Sequence, residues 1–378
     1  MKISIISNYI QQFVNIGLRF ILIPIYISSF GLSAYGLIGF YISLSAIFVL
    51  LDFGLGYASI KLLAESTVKT RKRDVSILKK VEILYVCIAL VIGLSVIFAS
   101  NLIASKWLDV DDLSIDSSNV IRLMAVLIIV TWPQSLYQSF LTGQHRFIAK
   151  NICLTLVNIS LSIFMYIGIL YFNFQILQYF IVSIICMSFQ TLYLRYLSWE
   201  NLKECKPVKL DFQEIKFFFS YASGVSIYSI CSLLFFQLPT ISISSLSTTT
   251  ELGLYNLSMT LPFCLLTLMY PIGSVFYPKL VKISSCNKAM FHFENYSTIL
   301  VCCVLLGSST IYYNIDWILK IWLKQSVLSE EIKNIAINII FGISFFGLSM
   351  TLSSVMLSNG NTKLLVYAYM IAIIYLTI

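Results

Sequence analysis

Ten apolar runs, each long enough to cross a bilayer, and the start of an eleventh follow one another with little between them, and this leaves few folds open to the chain. A helix needs about 20 apolar residues to span the hydrocarbon core. On that measure, spans are expected near residues 4–28, 36–62, 82–105, 118–142, 149–171, 175–197, 214–244, 252–277, 295–320 and 333–358; an eleventh begins near 362 and is still running at Ile378. In hydrocarbon every backbone amide must be bonded internally, which long unalternating runs achieve only as helices. Charged residues make up 11% of the chain, against about 25% in a soluble domain. The expectation is an all-α polytopic membrane protein, which excludes a soluble globular enzyme. Met1-Lys2 before an apolar run has the look of a signal peptide, but no small-residue cleavage site follows, so the segment reads as a retained first span.

The net charge of +8 is not a nucleic-acid signature, because the basic residues sit in short connections between spans. Lys2; Lys69, Arg71, Lys72, Arg73, Lys79 and Lys80; Arg146 and Lys150; Lys203, Lys206, Lys209 and Lys216; Lys279, Lys282 and Lys288; and Lys363 all fall on one side, whereas the opposite side carries Asp109, Asp111, Asp112 and Asp116. The amino terminus is therefore expected in the cytoplasm. The polar stretch after residue 197 suggests an amino-terminal six-span lobe over 1–197, a cytoplasmic linker over 198–213 and a carboxy-terminal lobe over 214–378. A weak internal repeat agrees. Gly143 with Arg146 is answered by Gly360 with Lys363, and Gly36 by Gly253, both at an offset of 217 residues. Six spans per lobe is an even number, so the lobes are expected to be parallel repeats. Two such units need about 434 residues, so the expectation is a twelve-span protein whose second lobe is truncated in this sequence.

The first span is the most informative. Asn8, Gln11, Gln12, Asn15 and Arg19 recur at steps of three and four within an apolar run, which places them on one helix face. An unpaired amide in hydrocarbon costs several kcal/mol, and a mid-membrane arginine about 3 kcal/mol on insertion scales. The stripe therefore faces water, protein or an anionic ligand; the alternative is that the amides tie helices together while Arg19 snorkels. Asp52, in LLDFGLG of the second span, either pairs with Arg19 by side-chain reach or bonds backbone at the Gly54/Gly56 bend. Gln134 and Gln138, beyond Trp132-Pro133, extend the polar face; Gln237 and Asn256, with Ser220, Ser223, Tyr228 and Thr260, are their uncharged counterparts in the second lobe. Pro24, Pro133, Pro239, Pro262 and Pro271 interrupt spans at points suited to moving parts. These residues constitute the candidate substrate site: a cation with surrounding hydrogen-bonding groups, suited to a large, hydroxylated, anionic cargo.

Catalytic constellations are nearly absent. The two histidines, His145 and His292, lie at loop edges, and no serine elbow, zinc-binding helix or phosphate-cradling glycine loop occurs. The acidic run from Asp109 to Asp116 lacks the glycine and closing glutamate of a calcium loop and reads as a solvated turn capping the fourth span. Nine cysteines show no paired metal spacing. No metal, cofactor or catalytic residue is expected.

Three stretches carry a resemblance. FILIPIYISSFGLSAYGLIGFYISLSAIFVLLDFGLGYASIKLLAE resembles the first two spans of bacterial O-antigen and polysaccharide flippases of the Wzx type. LYQSFLTGQHRFIAKNI is similar to their fourth-to-fifth junction, and LGLYNLSMTLPFCLLTLMYPIGSVFYPKL, ending in Tyr277-Pro278-Lys279, to their eighth span. The family pattern often has an acid near the end of span seven; this chain has Gln237-Leu238-Pro239. The resemblance implies a V-shaped, two-lobed, alternating-access transporter of the bacterial inner membrane. Its cargo would be an undecaprenyl-diphosphate-linked sugar repeat unit, moved from the cytoplasmic to the periplasmic leaflet. Partners would be that lipid-linked oligosaccharide, membrane lipids and other polysaccharide-assembly proteins. Arg19 would match the cationic position that meets the diphosphate. A cation-coupled multidrug exporter of similar fold needs an intramembrane carboxylate set, for which Asp52 alone is thin. A membrane glycosyltransferase or polymerase needs a large external catalytic loop. A non-transporting scaffold has no use for a buried charged stripe.

Overall fold

The computed structural model describes residues 2–49, 52–64, 66, 70–106, 116–200, 202, 230–282, 286–323, 326–358 and 362–377. Among these there are twelve helices and no β-strand: α1 (Lys2–Phe30), α2 (Leu32–Val49), α3 (Leu55–Ala64), α4 (Arg71–Lys106), α5 (Ser117–Gly143), α6 (Phe147–Phe172), α7 (Ile176–Glu200), α8 (Ile230–Leu246), α9 (Thr249–Lys282), α10 (Cys286–Leu323), α11 (Ser326–Ser358) and α12 (Thr362–Thr377). Seven of them are long and apolar enough to cross a membrane by length and composition. The all-helical expectation holds, and the described part of each expected span contains helix. Asp109, Asp111, Asp112, Ser220, Ser223 and Tyr228, and most of the expected linker, lie outside the described residues.

One span differs from expectation. The run over 36–62 is broken into α2 and α3, because Phe53 (φ 47°) and Gly54 (φ 72°) take left-handed backbone that a right-handed helix cannot continue through. The Asp52 carboxylate oxygen Oδ1 accepts the Gly56 N–H at 3.3 Å and so caps the first turn of α3. A single residue, Gly31 (φ 86°), joins α1 to α2. Its N–H donates to Ile27 O at 3.0 Å, and its carbonyl accepts from Tyr35 N at 3.2 Å, so both helix ends are satisfied across one left-handed glycine.

The chain separates into two compact units, Met1–Thr249 and Thr250–Ile378. In the first, α5 is central: Val120, Ile121, Met124, Ala125, Leu136, Phe140 and Leu141 are all fully buried, as expected of a helix apolar on every side. Helices α3, α4 and α7 pack on it. Gly143 allows a close approach, since a Cβ there would stand 2.8 Å from Leu63 Cβ and 2.9 Å from Ile60 O on α3. Trp132 Nε1 donates to Phe48 O at 3.2 Å, and its ring lies 4.5 Å from that of buried Tyr85 on α4. Asp116 caps α5, its side chain accepting from Asn119 N at 3.2 Å. In the second unit, Leu265 and Met269 of α9 press against Gly307 of α10 and Gly347 of α11, where built Cβ atoms would meet them at 2.6 and 2.7 Å. This is the small-residue packing of membrane helices. Lys333 of α11 and Asp316 of α10 form an ion pair at 2.7 Å.

Candidate functional site

The polar face of α1 divides into two parts. Asn8 and Asn15, seven residues apart, meet Asn151 and Asn158, also seven apart on α6. Asn151 Nδ2 donates to Asn8 Oδ1 at 2.6 Å and to Ser7 Oγ at 3.1 Å, and Asn158 Nδ2 donates to Asn15 Oδ1 at 3.0 Å. Both pairs advance in the same direction, so α1 and α6 run parallel and are zipped by two rungs about two helical turns apart. These two asparagines tie helices together.

The rest of the face is available. Gln11 and Gln12 are half-buried and Arg19 is exposed, and none forms a hydrogen bond or ion pair among the described residues. Within electrostatic reach of Arg19 lies Tyr179 of α7. The Tyr179 ring meets the edge of buried Tyr26 at 5.4 Å and that of Phe180 at 5.2 Å, and Tyr41 of α2 completes the group against Phe180 at 5.8 Å. Arg19 therefore lies within electrostatic reach of an aromatic, hydroxyl-bearing group.

The remaining sequence candidates lie elsewhere. Asp52 is half-buried and bonded to Gly56 N–H; it makes no ion pair with Arg19. Gln134 is buried, its Nε2 donating to Met187 O at 3.2 Å and Thr191 Oγ1 at 2.9 Å, which fastens α5 to α7. The Gln138 side chain is half-buried and forms no hydrogen bond among the described residues, and neither does that of Gln237 on α8. Asn256 turns its amide onto its own helix, donating to Leu252 O at 2.8 Å. Among the described residues no cluster of His, Cys, Asp or Glu can hold a metal.

Sequence reasoning missed a second polar centre. Glu82 of α4, only 13% exposed, accepts on Oε1 from Tyr137 Oη of α5 at 2.8 Å, from Arg195 Nε of α7 at 2.8 Å and from Trp199 Nε1 at 3.2 Å. Close by in sequence, Arg146 donates to Leu197 O and Glu200 Oε2, both at 2.8 Å, and Gln144 Nε2 to Ser198 O at 2.8 Å. Charge-assisted bonds of this kind lock the basic ends of α4, α5, α6 and α7 together. The rule that flagged Arg19 applies equally to Glu82, an acid at the start of an apolar run. The seven-residue spacing shared by Asn8/Asn15 and Asn151/Asn158 was the signal for the ladder.

These features, a multi-pass helical membrane protein with an available cation on its first helix, belong with known transporter folds. The chain is similar to the lipid II flippase MurJ in an inward closed conformation, with TM-score 0.74 and 15% identity over 98% of this chain and 78% of that one. It is similar to an inward-facing multidrug resistance MATE family transporter of the MOP superfamily, with TM-score 0.66 and 12% identity over 97% and 92%. A MOP superfamily transporter from Pyrococcus furiosus matches with TM-score 0.66 and 14% identity over 97% and 84%. At these identities the likeness shows a shared all-helical fold. No curated protein matches the sequence significantly. A family model described as polysaccharide biosynthesis protein matches residues 3–284, and the chain belongs to that family.

Proposed function

We propose that the protein flips undecaprenyl-diphosphate-linked O-antigen or related polysaccharide repeat units from the cytoplasmic to the periplasmic leaflet of the bacterial inner membrane. In this reading the amino terminus is cytoplasmic, and residues 1–197 and 214–378 act as the two lobes of an alternating-access transporter. The observation that carries it is Arg19: an exposed cation, without hydrogen bond or ion pair among the described residues, on the polar face of an otherwise apolar helix. Membership of the polysaccharide biosynthesis family supports a sugar-bearing cargo.

The energetics fit a diphosphate. An arginine and an anion 4 Å apart attract by about 4 kcal/mol at an effective dielectric of 20, close to the cost of placing arginine in the membrane. Gln11 and Gln12, about two helical turns from it, supply uncommitted amides for phosphate or sugar oxygens. Outward movement of each negative charge against an inside-negative potential gains about 2.3 kcal/mol per 100 mV, which gives direction without a second ion. Asp52, the carboxylate a cation-coupled exporter would use, already caps α3.

The test is repeat-unit translocation in cells or proteoliposomes carrying Arg19→Ala or Arg19→Lys at matched expression. Loss in the alanine variant with partial recovery in the lysine variant is expected. Normal translocation by Arg19→Ala would remove Arg19 from the mechanism.

A further inference from the structure

Arg195 stands outside the α1 face and has an unusual setting. Glu82 accepts its Nε at 2.8 Å and fixes the guanidinium plane, yet the side chain is 56% exposed. Tyr137, itself bonded to Glu82, also lies within hydrogen-bonding reach of the guanidinium, and no hydrogen bond to any other described side chain is found. Around it the surface is apolar. Leu192, Tyr193 and Tyr196 on α7 are exposed, as are Ile83 and Val86 on α4. Phe189, Tyr193 and Tyr196 recur at steps of four and three and stack successively at 6.1 and 6.4 Å, forming a continuous aromatic strip that reaches the level of Arg195 on the adjoining face of α7. Lys79 is exposed one turn before Glu82 on the same side of α4 and has no hydrogen bond among the described residues.

We propose that Arg195 and Lys79 form a binding site for the phosphodiester of an anionic phospholipid, whose acyl chain lies along the Phe189–Tyr193–Tyr196 strip. Charge and surface together select this occupant. Glu82 balances Arg195 in charge but leaves over half of its side chain exposed, and Lys79 adds an unbalanced cation. The fork matches a phosphate bidentately, while lysine serves as a point charge. A soluble anion would answer the cations but leave the aromatic strip bare; a headgroup joined to hydrocarbon answers both. Tyrosine and tryptophan are enriched at the headgroup level, and Tyr193, Tyr196 and Trp199 lie on the last turns of α7. The site is separate from the Arg19 face and depends on the protein's being in a membrane, not on its cargo.

The experiment is native mass spectrometry of the purified full chain in neutral detergent, titrated with dioctanoyl phosphatidylglycerol, dioctanoyl phosphatidylcholine or inorganic phosphate. Preferential retention of phosphatidylglycerol is expected, falling about fivefold for each cation lost in Lys79→Ala and Arg195→Gln. Arg122→Gln, at the other end of α5 and bonded to Ser100, Asn119 and Asn101, should retain it fully. Lys79→Ala breaks no described hydrogen bond, so it decides the matter even where Arg195→Gln unfolds. Equal retention of the two lipids, wild-type retention by Lys79→Ala, or displacement of phosphatidylglycerol by equimolar phosphate would each overturn the proposal; the last would mark a soluble-anion site.

Discussion

The two asparagine rungs between α1 and α6 permit a test that separates anchoring from transport on one helix face. The perturbation is a double-mutant cycle of Asn8→Ala, Asn151→Ala and the pair. Asn151 is 3% exposed and gives its amide to both Asn8 and Ser7. Interhelical hydrogen bonds in membranes average about 0.6 kcal/mol and reach about 1.7. With two bonds from one buried amide, the Asn8–Asn151 coupling should be about 1 kcal/mol. Each single variant strands a polar partner and should cost about 1–2 kcal/mol, and the double variant little more than the worse single. The assay is equilibrium unfolding in mixed micelles, with translocation measured per folded molecule. Asn8→Ala should lose stability and keep its turnover, whereas Arg19→Ala should lose turnover and keep its stability to within about 0.5 kcal/mol. A coupling below about 0.3 kcal/mol, or abolished translocation by a fully stable Asn8→Ala, would refute the division of the face into anchor and site.

Three other substitutions have clear expected outcomes. Glu82→Gln keeps one side-chain oxygen for the three donors now on Oε1; a carboxamide oxygen serves two. The loss, discounted for the exposure of Arg195, should be about 2 kcal/mol, read as a fall of about 4–8 °C in thermal melting for a unit of this size. Gly143→Ala drives a methyl into Leu63 Cβ and Ile60 O and should cost about 1–3 kcal/mol. Gly17→Ala, an exposed helical site with nothing within 4 Å, should instead be neutral or stabilising by up to about 1 kcal/mol.

The spans were legible because hydrocarbon leaves the backbone no other solution, so run length alone places α1, α4, α5, α6 and α7. The break at Phe53-Gly54 was only half legible. Glycines marked a bend, but that Asp52 would cap the next helix depends on φ at Phe53, which composition does not carry. Polarity pointed to α1, yet periodicity cannot say which amides have partners. Asn8 and Asn15 are tied to α6 and Gln134 to α7, because those partners lie far away in sequence. Glu82 escaped notice for the same reason: its three donors are 55 to 117 residues distant.

The one-residue joint at Gly31 has a mechanical corollary. With so short a link, α1 cannot slip lengthwise along α2; it can only pivot about that corner. Helix α1 is 29 residues long, about 43 Å at 1.5 Å per residue, so a 10° swing carries its far tip about 7 Å. Along that lever Asn8 travels about 6 Å and Asn15 about 4 Å. The outer tooth must open before the inner one, and Arg19, nearer the fulcrum, shifts least. A carrier built this way would move its charge about half as far as the doorway widens.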